Sequence, residues 1–206
     1  MTTERPNSWA AEAIRRVRTG GLHLAPTPLR PLALPAFRDV EIYFKDESAH
    51  PTGSMKYRLV RAMFCEAIAS GAIRSDTPVI AAASGAVAVA GARFARLLGL
   101  VFTAVVPAKT SADVLARIEG EGGRWQVGEQ PPAAVQEEAR ALAEQLGGHF
   151  LDHFRDAERA VAGCGEPTIA DEIFDQMRGE AHPVPEWIVT GAGTGATSAA
   201  IGRHLR

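Results

Sequence analysis

An α/β fold built around a mostly parallel sheet is what this 206-residue sequence predicts, and three observations carry the prediction. Short apolar runs alternate with segments of helical periodicity along almost the whole chain. The connections between them are short and marked by glycine or proline. The composition, 46% hydrophobic and 22% charged, provides enough apolar side chain for a real core without a metal or disulfide staple.

Taken in order, the first helix is expected over Trp9 to Arg18 and the first strand over Val40 to Lys45. A helix from Met55 to Ser70 follows, because Leu59, Val60, Met63, Phe64, Ala67 and Ile68 form an apolar stripe at helical spacing that Gly71 stops. Strands over Pro78 to Ala82, Val101 to Val106 and Arg124 to Val127 then alternate with helices over Ala86 to Leu98 and Ala112 to Glu119. Pro131 and Pro132 suit the start of a helix that continues from Ala133 to Leu146, where Gly147 and Gly148 end it. A short strand at His149 to Leu151, a helix over Ile169 to Met177, a strand over Trp187 to Thr190 and a helix beginning near Thr194 complete the reading. The Trp187 strand reads as buried and parallel, yet the sequence stops at Arg206 before another strand flanks it. It is either an edge strand or, as we expect, part of a larger protein whose remainder is absent.

A formal net charge of -2 and a pI near 6.3 lack the basic excess that holds phosphate backbones or anionic lipid. Nucleic acid and membrane surfaces are therefore poor partners, and a small molecule is the better expectation. Cys65 and Cys164 form neither a disulfide framework nor a zinc spacing, which fits a reducing cytoplasm. His149 and His153 are four apart but straddle a strand end, so no metal pair is expected. The only lysines are Lys45, Lys56 and Lys109.

Three turns stand where a strand feeds a helix, the place where open α/β sheets bind ligands. In Pro51-Thr-Gly-Ser-Met-Lys56-Tyr-Arg58, Ser54 is placed to cap the helix and Lys56 falls in its first turn. A positive charge is disfavoured there by the helix dipole, which suits an amine that reacts with a carbonyl; an exposed surface lysine is the plainer alternative. In Ala83-Ser-Gly-Ala-Val87, backbone N–H groups and the Ser84 hydroxyl are suited to a carboxylate, although small residues there also simply permit close packing. In Gly191-Ala-Gly-Thr-Gly-Ala-Thr197, glycines and two threonine hydroxyls suit a phosphate at a helix N-terminus. Gly191, Gly193 and Ala196 also satisfy the dinucleotide pattern G-x-G-x-x-A, but the acidic ribose partner expected about 20 residues later would fall past Arg206.

Read together, Thr27-Pro-Leu29, Lys45-Asp-Glu-Ser48, Pro51 to Arg58, Ala83-Ser-Gly85 and Gly193 to Thr197 resemble, in order and spacing, the fold-type II pyridoxal-phosphate enzymes. The resemblance runs from about Thr27 to Arg206. Lys45-Asp-Glu-Ser, His50-Pro-Thr-Gly-Ser and Phe94-Ala-Arg-Leu-Leu-Gly-Leu100 look closest to the cysteine synthase and cysteine desulfhydrase branch. This resemblance implies a parallel-sheet small domain over residues 48–151, inserted in a larger, incomplete α/β domain made of residues 1–47 and 152–206. It implies pyridoxal 5'-phosphate as cofactor, held covalently by the catalytic Lys56, with the phosphate in the turn of Gly191, Gly193, Thr194, Gly195, Ala196 and Thr197. The implied reaction is β-elimination or β-replacement on cysteine or an O-activated serine, in a cytoplasmic homodimer.

Ser84, Gly85 and Ala86 map onto the family's substrate-carboxylate loop, and His153-Phe154 onto its Gln-Phe segment. The chain departs from the family pattern at Ala83, Ala86, Ala196 and His153, where a hydroxyl residue, an asparagine, a glycine and a glutamine are usual. Each lost hydrogen bond to a buried or charged group costs about 1.5–3 kcal/mol if nothing compensates. A catalytically impaired remnant or interaction subunit of the family, and a dinucleotide-binding domain, are the competing readings.

Overall fold

The computed structural model describes residues 8–20, 26–36, 39–129, 131–163, 165, 167–191 and 193–206. Two residues singled out in the sequence, Cys164 and Ala192, lie outside that set. Eight helices are described: α1 (Ser8–Thr19), α2 (Lys56–Ala69), α3 (Ala86–Leu98), α4 (Ala112–Gly120), α5 (Pro132–Gln145), α6 (Ala157–Gly163), α7 (Ile169–Met177) and α8 (Ala196–His204). The six strands are β1 (Leu29–Leu32), β2 (Ile42–Lys45), β3 (Val79–Ala82), β4 (Phe102–Pro107), β5 (Arg124–Gly128) and β6 (His149–Phe150).

Strands β3 to β6 form one parallel sheet in the order β5-β4-β3-β6. Its pleat divides the core. Val79 and Ala81 of β3, with Ala104 and Val106 of β4, turn toward the face covered by α3, behind which α2 and α1 are stacked. Ile80 and Val105 turn the other way, onto Val135, Ala139 and Ala143 of α5. Gly91 lets α3 approach closely, since a Cβ there would stand 2.5 Å from the Phe102 ring. At the end of α3, Gly99 takes the left-handed conformation (φ 72°) that closes the helix.

Outside this sheet, β1 and β2 pair antiparallel, with Leu29 opposite Lys45. Helix α7 begins with a capping box between Thr168 and Asp171, and α8 packs against both α6 and α7. No helix among the described residues is long and apolar enough to cross a membrane.

Three expectations are corrected. The predicted strand over Trp187 to Thr190 is not one: Trp187 is 82% and Val189 94% exposed, and no described strand lies alongside to take up its backbone hydrogen bonds. The Leu29–Leu32 strand is additional; Pro31 hides it in the sequence and is tolerated because this two-stranded ribbon has only edges. The C-terminal helix starts at Ala196 and not at Thr194, because Gly195 occupies the N-cap at φ 80°.

Candidate active site

The first turn of α2 is set by the loop before it. Gly53 adopts φ 68°, and its N–H donates to the His50 carbonyl at 2.7 Å. Ser54 does not occupy the cap position itself, which falls to Met55; its Oγ instead accepts from the Lys56 N–H at 3.3 Å. Lys56 therefore is the first residue of the helix. Its Nζ lies 4.0 Å from the place where a Cβ on Gly193 would stand, so the amine and the glycine turn face each other directly.

The cleft between them is lined by Lys56, Thr194, Ala196 and Thr197, with Arg58 and Arg61 of α2 on the same wall. Space above the turn is open: added Cβ atoms at Gly191 and Gly195 would meet nothing within 4 Å. Ala196 is 4% exposed and packs with the core cluster as well as bordering the cleft, and its N–H donates to Thr194 Oγ1 at 3.4 Å. Arg61 is buried, and its Nε has no hydrogen-bond partner among the described residues. An amine, an orphaned guanidinium N–H, threonine hydroxyls and an open glycine turn at a helix N-terminus are a donor set suited to an anionic aldehyde, and a phosphate-bearing cofactor fits it.

Arg58 is committed elsewhere. Its guanidinium donates to Glu47 at 2.7 and 2.9 Å and to Glu172 at 2.6 and 2.7 Å. Lys45 Nζ lies 2.7 Å from the same Glu172 and donates to the Thr27 carbonyl and to Gln176. Thr27 Oγ1 donates to Glu47 at 2.6 Å, and His50 Nε2 lies 3.1 Å from that carboxylate. Burial raises the Glu47 carboxyl, but hydrogen bonds from His50, Arg58 and Thr27 and the Arg58 charge outweigh it and hold the group well below the usual carboxylate range. Glu172 is lowered by the same balance, burial being outweighed by Arg58 and Lys45. This network bolts the start of α2, and with it Lys56, to β2 and α7. Sequence reasoning did not identify Glu172 and Gln176; their spacing of four on one helix face was the available signal.

A second cleft opens at the C-terminal ends of β3 and β4, where Ala83, Ser84, Gln136, His153 and Phe154 converge. Ser84 precedes Gly85, the N-cap of α3, and Ala86 is the first residue of that helix. His153 is held by an Asx turn after β6: Asp152 Oδ1 accepts from the N–H groups of Phe154 and Arg155 at 3.3 and 3.1 Å. Burial holds the His153 imidazole below its ordinary value; Asp152 pulls it upward and the Lys56 charge pushes it down. Lys56 thus faces the glycine turn and is felt electrostatically at His153. Lys56 and Ser84 line separate clefts.

A lysine opposite an open glycine turn at a helix N-terminus is an arrangement that suits a carbonyl compound bearing a phosphate. Residues 21–206 match the family described as "Pyridoxal-phosphate dependent enzyme", and the chain belongs to that family. It is 49% identical over 203 residues to L-cysteine desulfhydrase Cds1 of Mycobacterium tuberculosis, covering 97% of this chain and 55% of that protein. Cysteine synthase of a Flavobacterium is 27% identical over 170 residues, covering 82% of this chain and 54% of the relative. Among solved structures, O-ureido-L-serine synthase superposes with a TM-score of 0.78 at 27% identity, covering 94% of this chain and 58% of that one. The chain therefore spans about half the length of the curated relatives it matches. Membership in this family leaves the dinucleotide reading of the glycine turn without support.

Proposed function

We propose that the chain is the part of a pyridoxal-phosphate enzyme that carries its reactive lysine, acting at the β-carbon of cysteine or an O-activated serine by β-elimination or β-replacement. The observation that carries this reading is the 4.0 Å approach of Lys56 Nζ to the Gly193 position. When bound, the cofactor supplies an electron sink for charge developing at the substrate Cα. Lys56 would hold the cofactor through its Nζ, and the same Nζ would move the proton at the substrate Cα. Gly191, Gly193, Thr194, Gly195 and Thr197 hold the phosphate, with Ala196 backing the turn. Ser84 and the N–H groups of Gly85 and Ala86 receive the substrate carboxylate, with His153 at the edge of the same cleft.

The rest of the reading has its own supports. A smaller unit over residues 48–151 is supported by the position of the parallel sheet, every strand of which lies between Val79 and Phe150. A cytoplasmic location is supported by the presence of only two cysteines. A homodimer is supported by resemblance alone, and sedimentation of the purified protein tests it.

The function is tested by loading the protein with pyridoxal phosphate and supplying L-cysteine or O-acetylserine with a thiol. Release of sulfide and pyruvate, or formation of a β-substituted product, is expected, and Lys56→Ala should lower it by about a thousandfold. Cofactor held at Lys56 with no product from either substrate would establish the impaired-remnant reading instead.

A further inference from the structure

Arg61 stands apart from the other charged side chains of the Lys56 cleft. It lies five residues after Lys56 on α2 and is 9% exposed. Its Nε is buried without a hydrogen-bond partner, and the guanidinium forms no ion pair among the described residues. Arg58, one helical turn earlier, is the opposite case, with Glu47 and Glu172 accepting four hydrogen bonds from it. Glu47 is the only carboxylate among the described residues that line the cleft, and Arg58, Thr27 and His50 already occupy it. A guanidinium held nine-tenths out of water with no counter-charge costs stability unless an anion entering the cleft meets it.

We propose that Arg61 holds the phosphate of the bound cofactor, adding a cation to a turn whose own donors are all neutral. The inference rests on the reading of Lys56 and the glycine turn as the cofactor site. Thr194, Ala196 and Thr197 border the same cleft as Arg61, so the guanidinium and the N-terminus of α8 open onto one space. The turn offers backbone N–H groups, threonine hydroxyls and the partial positive charge of the helix end, but no formal charge. The Lys56 amine is committed to the aldehyde end of the same molecule. A guanidinium supplies both a full positive charge and a planar fork of donors that matches phosphate oxygens. Without cofactor the protein bears the cost of an unpaired buried cation; with cofactor it gains a charge-assisted hydrogen bond. Replacing Arg61 by an apolar side chain therefore moves stability and cofactor affinity in different directions, which loss of a packing residue does not do.

The experiment compares the wild type with Arg61→Met and Arg61→Lys, titrating each by fluorescence with pyridoxal phosphate and with pyridoxal, which has the aldehyde and lacks the phosphate. Arg61→Met should bind pyridoxal phosphate about tenfold to hundredfold more weakly and pyridoxal as the wild type does. Arg61→Lys, which keeps the charge, should recover part of the loss. In the absence of cofactor, the urea midpoint of Arg61→Met should equal or exceed that of the wild type. Phosphorus NMR of the bound cofactor should show its phosphate taking up a proton at higher pH in Arg61→Met, because the guanidinium favours the dianion. Equal affinity of wild type and Arg61→Met for pyridoxal phosphate, or an equal loss for both aldehydes as a structural arginine would give, overturns the proposal and leaves the cofactor site standing. Absence of pyridoxal phosphate from Lys56 of the wild type overturns the cofactor-site reading and the proposal with it.

Discussion

Arg58 and Glu172, 114 residues apart in the sequence, meet through two hydrogen bonds of 2.6 and 2.7 Å. The same guanidinium holds Glu47, so one side chain on the first turn of α2 neutralises carboxylates from two other parts of the chain. Arg58→Met removes the cation and leaves both carboxylates buried, each 12% exposed at the side chain. Breaking such a pair from one side costs about 3–5 kcal/mol. Urea denaturation should show a loss of that order, larger than the loss from Glu172→Gln, which keeps a hydrogen-bonding group in place.

Acidification should weaken the fold in two steps. His153 is lowered from 6.5 in the folded chain, so the unfolded chain takes up that proton first and stability begins to fall below that pH. Glu47 and Glu172 are both lowered from 4.5, so their contribution is fully present above that value and is lost as the pH drops through their folded values. Thermal melts should show a plateau near neutrality, a shallow decline from about pH 6.5 and a steeper one below about pH 4.5. Replacing Glu172 by glutamine should blunt the second decline and leave the first.

Gly193→Ala is expected to separate cofactor binding from folding. The new Cβ meets Lys56 Nζ at 4.0 Å, an ordinary contact, and no positive φ is required there. Stability should stay within about 0.5 kcal/mol of the parent. The methyl group nevertheless occupies the gap between amine and turn, and cofactor affinity should fall about tenfold, equivalent to about 1.4 kcal/mol. Fluorescence titration with pyridoxal phosphate, run beside thermal melts, reads both quantities.

Gly91→Ala should do the reverse, since its Cβ would stand 2.5 Å from the Phe102 ring in the α3–β4 contact, remote from the lysine cleft. Overpacking of this kind costs about 1–3 kcal/mol. The denaturation midpoint should drop, while the cofactor affinity of the folded fraction should be retained.

Much of this architecture was legible in the sequence where local pattern and tertiary packing agree. The stripe from Leu59 to Ile68 did become a buried helix face, and the apolar run from Pro78 to Ala82 did become a buried strand of the parallel sheet. Trp187 to Thr190 misled because an apolar run reports a preference for burial, and strand formation also needs a neighbour to hydrogen-bond. Helix α6 escaped notice because seven residues leave too short a window for periodicity. At the site, Lys56 and the glycine turn were readable as motifs. The Lys45–Glu172–Arg58–Glu47 network was not, because its members come from different elements and only the fold brings them together.

The most direct measurement is to incubate the protein with pyridoxal phosphate, fix the adduct with borohydride and map it by peptide mass spectrometry. With three lysines in the chain, the outcome is unambiguous. Cofactor mass on the Lys56 peptide, and its disappearance in Lys56→Ala, is the predicted result. Label on Lys45 or Lys109 instead, or none at all on the folded protein, would contradict the account.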